Sequence, residues 1–378
     1  MDPRPAEGQS CSCALYTSDK VCTEISLCTA GVKYPYLCRM ILVTGGTGLA
    51  GSHLLLELTA RGTHVRALHR ESSKTDYVKH VFDAYADKPD QQLKLIEWVE
   101  GDVLDIYSLE DAMDGVTQVY HNAAVVSFSP HKREIMHQVN VEGTANVVNA
   151  AINKGVKKIC HLSSIAALGR AKQDGITDES TEWVTSRYNS NYAISKYNGE
   201  REIWRGTAEG LDAVVILPSI ILGLADINNG SMQLFKTIMK GIPFYTPGSN
   251  GYIDARDIAR AQIFLMESEV KNEKFVLSAE NLGYREVLRM IADGLEKPYP
   301  KIRVNKPLAL TARYFFKIKS LLNGKDPIIT KETARTAMRT YTYNTDKFIS
   351  LSGMKYIKIS DTISTICSIY KKNDFFMK

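Results

Sequence analysis

From Met40 onward, short apolar runs alternate with amphipathic stretches, as stacked βα units do. Residues 40–43 read as a buried strand entering a glycine turn, and 51–61 as a helix with Leu54, Leu55 and Leu58 at core-facing spacing. Gly62 ends that helix, and 65–68 form the second strand. Residues 95–99 predict a third strand, 108–113 a helix and 118–120 a fourth strand. A longer helix over 134–153 carries Val139, Val147, Val148 and Ile152. Residues 158–162 are a fifth strand that delivers Ser163 and Ser164 at its end. The helix holding Tyr192 and Lys196 follows, then a strong strand over 213–217 that Pro218 stops.

Beyond Pro218 the regularity loosens, with breaks at Gly223, Asn228-Asn229-Gly230, Pro243 and Pro247-Gly248. Residues 256–267 and 285–295 still read as helices, with a short strand over 274–277 between them. The pattern predicts an α/β fold: a doubly wound Rossmann parallel sheet over residues 40–218, and a smaller C-terminal substrate lobe. That lobe, with a basic helical tail, takes residues 219–378 and interleaves with the first domain. Residues 1–39 lack the continuous apolar core of a signal peptide and read as a poorly ordered extension.

Composition alters this picture little. The chain has 378 residues, 44% hydrophobic and 24% charged, ordinary values for a soluble globular protein. No apolar run approaches the ~20 residues that a membrane-spanning helix needs, so no span is expected and the location is read as cytoplasmic. The net charge of +5 is unevenly placed: residues 301–378 carry sixteen Lys or Arg against five Asp or Glu. We read that excess, which includes an amphipathic stretch over 308–322, as solvated or packed helices and expect no nucleic-acid partner. Five of seven cysteines precede Met40, without a Cys-x-x-Cys pair or a nearby His, so no metal site is expected.

Chemistry begins at residues 44–51, Thr-Gly-Gly-Thr-Gly-Leu-Ala-Gly. With a strand before it and a helix after it, glycines at 45, 48 and 51 suit a dinucleotide pyrophosphate resting on a helix N-terminus. No Gly-Lys-Ser/Thr follows, which excludes a Walker-type phosphate loop. The second strand ends in His69-Arg70, with Lys74 behind, where an acidic residue would favour NAD. An Arg there offers a planar donor fork to a ribose phosphate, so NADP is preferred over NAD. Asp102, after the third strand, is placed to accept from the adenine amino group.

Tyr192 and Lys196 stand four residues apart, on one face of a helix. A neighbouring ammonium stabilises a phenolate, so the pair can move a proton near neutral pH. A serine at the end of the fifth strand can hold a substrate oxygen while Tyr192 passes that proton.

Taken together, residues 44–51, Gly101-Asp102-Val103, 121–124, 139–144, Leu162-Ser163-Ser164, 192–196 and Leu217-Pro218-Ser219 resemble the extended branch of the short-chain dehydrogenase/reductase superfamily. Within it the chain is most similar to epimerase/dehydratase-type and dihydroflavonol-reductase-like proteins. The resemblance implies Tyr192 as general acid/base and Lys196 as the residue that binds the nicotinamide ribose and tunes Tyr192. It implies Ser164 as the substrate-holding serine, with Ser163 the fallback, and Asn140 as support for a proton-relay water. Cofactor contacts are implied at Thr44, Gly45, Thr47, Gly48, Leu49, Gly51, Arg70, Asp102, Val103, Ala123, Lys196 and Pro218. His121 is read as a satisfied core histidine beside the cofactor. Dimerisation through a helix bundle is common in such relatives, so a homodimer is the implied oligomer.

Ser164 is followed by Ile165-Ala166-Ala167, which lacks the acid pair that sugar dehydratases carry there. The reading is therefore hydride transfer between NADP(H) and a carbonyl or alcohol, with a small-molecule substrate that is hydrophobic. Val125, Val126, Phe128, 220–222, Phe244, Tyr245 and Tyr252 suggest that character. Two alternatives stay open: a nucleotide-sugar epimerase using tightly bound NAD, and a dinucleotide-sensing binding protein without turnover.

Overall fold

The computed structural model describes residues 40–73, 75–169, 175–227, 230–305 and 336–372. The extension over 1–39, Lys74 and the amphipathic stretch over 308–322 lie outside the described residues.

The first half of the chain runs β1 (Met40–Thr44), α1 (Leu49–Ala60), β2 (Val65–His69), α2 (Asp76–Tyr85), α3 (Pro89–Leu93), β3 (Ile96–Glu100), α4 (Ile106–Ala112) and β4 (Val116–His121). Next come α5 (Arg133–His137), α6 (Gly143–Asn153), β5 (Lys158–Leu162), β6 (Ile176–Thr177), α7 (Asn191–Ala208) and β7 (Asp212–Pro218). After these follow β8 (Ile220–Leu222), α8 (Gln233–Met239), β9 (Phe244–Tyr245), β10 (Ser249–Asp254), α9 (Ala255–Glu267) and β11 (Glu273–Leu277). The described chain closes with β12 (Glu280–Gly283), α10 (Tyr284–Leu295), β13 (Ile302–Arg303), β14 (Thr342–Tyr343), α11 (Asp346–Ser352) and α12 (Ile359–Lys372).

Seven strands form one sheet in the order β11-β7-β5-β4-β1-β2-β3, and every neighbouring pair is parallel. Such a sheet is covered on both faces, so its inner strands β1 and β7 are apolar nearly throughout, while the edge strand β3 mixes apolar and acidic residues. β7 is buried from Ala213 to Pro218. Alternate side chains feed two cores: Ile41 and Val43 enter one, and Leu42 the other. The predicted doubly wound α/β sheet is the observed architecture.

Two features depart from the strip of elements read along the sequence. The helix expected over 134–153 is a continuous helical run interrupted by a π turn at Gln138–Glu142. Its apolar spacing predicts helix but carries no signal for one extra residue per turn. Further on, β11 joins the main sheet beside β7, while β8, β10 and β12 build a separate three-stranded sheet. β8 and β12 are only three and four residues long, and β10, Ser-Asn-Gly-Tyr-Ile-Asp, is broken by polar residues and a glycine, so no apolar pattern announces them.

The C-terminal helices are integral to the core. Asp254 caps α9 by accepting the Arg256 N–H at 2.7 Å. It also accepts from the Arg256 guanidinium and from the Thr362 hydroxyl of α12. That carboxyl consequently sits below the usual carboxylate range: burial opposes ionisation, and the Arg256 and Thr362 contacts outweigh it. Phe348 of α11 is fully buried between the rings of Phe264, Phe275 and Tyr356. Phe348→Ala should destabilise the protein by about 3–5 kcal/mol, the usual cost of emptying a buried aromatic site. A urea-unfolding midpoint unchanged from wild type would show that α11 is not part of the cooperative core.

Candidate active site

β1 lies between β2 and β4, and the chain leaves β1 toward one edge of the sheet and β4 toward the other. The two sets of connections diverge there, which opens a crevice at the carboxyl ends of the strands. The glycine turn stands at this point. Gly45 has φ +70°, and a Cβ on it would meet the Ala123 backbone nitrogen at 2.6 Å. A Cβ on Gly51 would press into the Gly45 carbonyl oxygen, so α1 can seat against the turn only without one. Gly48 begins α1 without any side-chain cap, which leaves first-turn N–H groups available to an anion. Thr47 and Leu49 flank it half-buried. An uncapped helix end in a side-chain-free cradle fits the pyrophosphate of a dinucleotide.

The rim beyond β2 and β3 fits the adenosine half. Arg70 is exposed, and among the described residues only its backbone is engaged, by Ser73 and His69. Asp102 is partly exposed and spends one oxygen on the Leu104 N–H at 3.0 Å. Val103 is buried, and its side chain lies where a Cβ on Gly143 would go. Pro218 is buried at the far side, paired with Leu277.

Thr44 turns inward instead. Its hydroxyl accepts the Ala123 N–H at 3.3 Å and meets His121 Nδ1 at 2.8 Å. On the other side of that ring, His121 Nε2 meets Thr144 Oγ1 at 3.0 Å, and the Thr144 hydroxyl donates to the Asn140 carbonyl at 2.8 Å. Because Thr144 gives its proton to Asn140, Nε2 must carry the imidazole proton and Nδ1 must accept from Thr44. Burial, with the Lys196 charge nearby, pushes His121 down to about 3, so the ring is neutral. His161 stacks on it with centroids 5.1 Å apart.

Asn140 sits in the π turn. Its side chain accepts the Val125 N–H at 2.7 Å and donates to the Val125 carbonyl at 2.9 Å and to Ser195 Oγ at 2.9 Å. Ser195 donates in turn to the Tyr192 carbonyl. Asn140 therefore braces the start of α7 against the segment after β4. Close approach of these helices requires Gly199, where a Cβ would strike the Asn140 carbonyl oxygen.

α7 starts at Ser190, whose hydroxyl accepts the Ala193 N–H at 2.8 Å. Tyr192 lies in the first turn, partly exposed, while Lys196 one turn later is 3% exposed. Lys196 Nζ donates to the Leu162 carbonyl at 2.7 Å. Burial pushes this ammonium down to about 8, and Glu200 opposes that effect. The Tyr192 phenol is pushed up by burial and pulled back by the nearby Ser164 hydroxyl. Phe128 sets its ring edge-on to Tyr192 at 5.9 Å. Ser164 also accepts the Ala166 N–H at 3.1 Å, whereas Ser163 points away and donates to Glu200 at 3.1 Å.

Ser164, Tyr192 and Lys196 are thus brought together at one strand end, with the glycine turn across the crevice. Of the apolar residues singled out in the sequence, Leu222 and Tyr252 are fully buried and serve packing, while Val126 and Phe128 are 56% and 45% exposed. Ser195 and Glu200 escaped the reading of the sequence. Glu200 was within reach of it, since it falls on the face of Tyr192 and Lys196 by helical spacing.

A family model described as the NAD dependent epimerase/dehydratase family matches residues 41–278. A Synechocystis sp. protein assigned as a dihydroflavonol 4-reductase is 28% identical over 330 residues, covering 85% of this chain and 92% of its own. The crystal structure of gox2253 is 26% identical with a TM-score of 0.73, covering 90% of this chain and 99% of that one. The fold is shared with the Thermus thermophilus UDP-glucose 4-epimerase, solved with NAD, at 20% identity and TM-score 0.67 over 88% and 99% of the two chains. With its glycine turn, parallel sheet and Tyr–Lys helix, the chain belongs to the NAD dependent epimerase/dehydratase family, within the extended short-chain dehydrogenases/reductases, and is an enzyme.

Proposed function

We propose that the protein is an NADP(H)-dependent reductase that interconverts a hydrophobic carbonyl compound and its alcohol. The observation that carries this reading is the meeting of Ser164 with Tyr192, one turn before buried Lys196, at the end of β5. When bound, the nicotinamide supplies or accepts the hydride. The Ser164 hydroxyl holds the substrate oxygen and polarises it. Tyr192, a phenol that burial keeps protonated at neutral pH, donates its proton to that oxygen as negative charge develops. That direction suits reduction. Lys196 holds the cofactor ribose, and Asn140 acts by bracing Ser195 and the Val125 segment.

Substrate character follows from what faces the crevice. Ile165, Ala166 and Ala167 bring no acid or base next to Ser164, which disfavours elimination of water. Phe128 exposes apolar surface beside Tyr192, Val126 two residues before it is exposed as well, and the Synechocystis relative is named for a reductase. An epimerase would use the same three groups, but NAD recycled in place calls for an acid where Arg70 stands. The exposed guanidinium of Arg70 favours NADP. For the oligomer we propose a homodimer, as the family resemblance implies.

Tyr192→Phe should keep NADPH affinity within about twofold while lowering kcat by 10²-fold or more, roughly the worth of a positioned proton donor. Measured kcat within a few-fold of wild type would remove Tyr192 from the reaction. Arg70→Asp should lower the NADP/NAD ratio of kcat/KM by about tenfold or more, as loss of a charge-assisted contact implies. An unchanged ratio would mean that Arg70 does not read the cofactor.

A further inference from the structure

We propose that Glu200 is a positioning residue for this site, holding Ser163 out of the crevice and supplying the buried counter-charge of the Lys196 ammonium. This inference rests on the reading that Lys196 and Tyr192 take part in turnover.

Glu200 follows Lys196 by one helical turn, so the two side chains leave the same face of α7. It is 5% exposed, and a carboxylate is kept in such a place only where donors meet its oxygens. One oxygen accepts the Ser163 hydroxyl and the other the Trp204 indole N–H, each at 3.1 Å. Lys274 of β11 stands 4.0 Å away. Burial pushes the Glu200 carboxyl up, while Lys274, Trp204, Ser163 and Lys196 hold it toward the ionised form.

Among the described residues, the surroundings of Lys196 leave it no other anion. His121 on β4 and His161 on β5 stand near enough to feel its charge, but burial keeps both rings neutral. Tyr192 is a neutral phenol, and the Leu162 carbonyl is a dipole. Glu200, one turn along the helix, is the charged group that favours the ammonium, beside the Leu162 carbonyl that accepts from it. The same carboxylate fixes the serine pair. The Ser163 N–H is held by the Ile216 carbonyl at 2.8 Å and its hydroxyl by Glu200, so the next residue, Ser164, is the one presented to Tyr192.

The test compares pH profiles of kcat/KM and of NADPH binding, the latter read by fluorescence quenching. In the wild type, activity should fall as pH rises through about 8, where Lys196 loses its proton. Glu200→Gln, and Glu200→Met as a replacement that a buried site tolerates, should each move both profiles to lower pH by roughly one unit. Glu200→Asp keeps the charge and should stay within about 0.3 units while losing kcat through looser hold on Ser163. Neutral variants whose profiles stay within about 0.3 units of wild type would overturn the inference. Lys196→Met separates the two failures: if it turns over like wild type, the functional reading falls first.

Discussion

Complete burial leaves His121 no way to carry charge, so its two ring nitrogens must take opposite roles. From that constraint a single direction of hydrogen bonding follows. Ala123 donates to Thr44, Thr44 to His121, His121 to Thr144, and Thr144 to the Asn140 carbonyl. The chain of donors begins just after β4, passes through Thr44 at the start of the glycine turn and ends in the π turn. Asn140 carries it onward through Ser195 to the first turn of α7, where Tyr192 stands. One neutral imidazole therefore sets the distance between the cradle for the pyrophosphate and the helix that bears the proton donor. A protonated ring would donate from both nitrogens, and the Thr44 hydroxyl would lose His121 as the acceptor of its own proton.

The other wall of the crevice is set by the end of β5. Its last carbonyl holds Lys196, its next residue is pinned to Glu200, and the residue after that faces Tyr192. Because β5 is buried along its whole length between β4 and β7, its end has little freedom to drift. A rigid strand end and a braced helix are what a site needs when the reacting atoms are supplied by two bound molecules.

Much of this was legible in the sequence, for identifiable reasons. Parallel strands buried on both faces leave apolar runs, so β1 and β7 announce themselves, and the glycines of residues 44–51 mark the switch point between β1 and β4. Tyr192 and Lys196 are readable because helical spacing turns sequence distance into a shared face. What escaped depends on long-range contact. The Asp254–Arg256–Thr362 tie joins residues far apart in the chain, and the strands of the smaller sheet are short or interrupted by polar residues. Tyr252, read as a pocket residue by its type, is core by its position. The π turn at Asn140 packs closely against Gly199, a contact that no local pattern reports.

The central claim is that hydride passes between the nicotinamide and a carbonyl carbon held at Ser164 and Tyr192. The direct measurement is mass spectrometry of the product formed from NADPH carrying deuterium at the transferred position. The account predicts one deuterium on the carbinol carbon of an apolar alcohol, with one NADP⁺ formed per product molecule. Product without the label, or turnover without net cofactor oxidation, would contradict it.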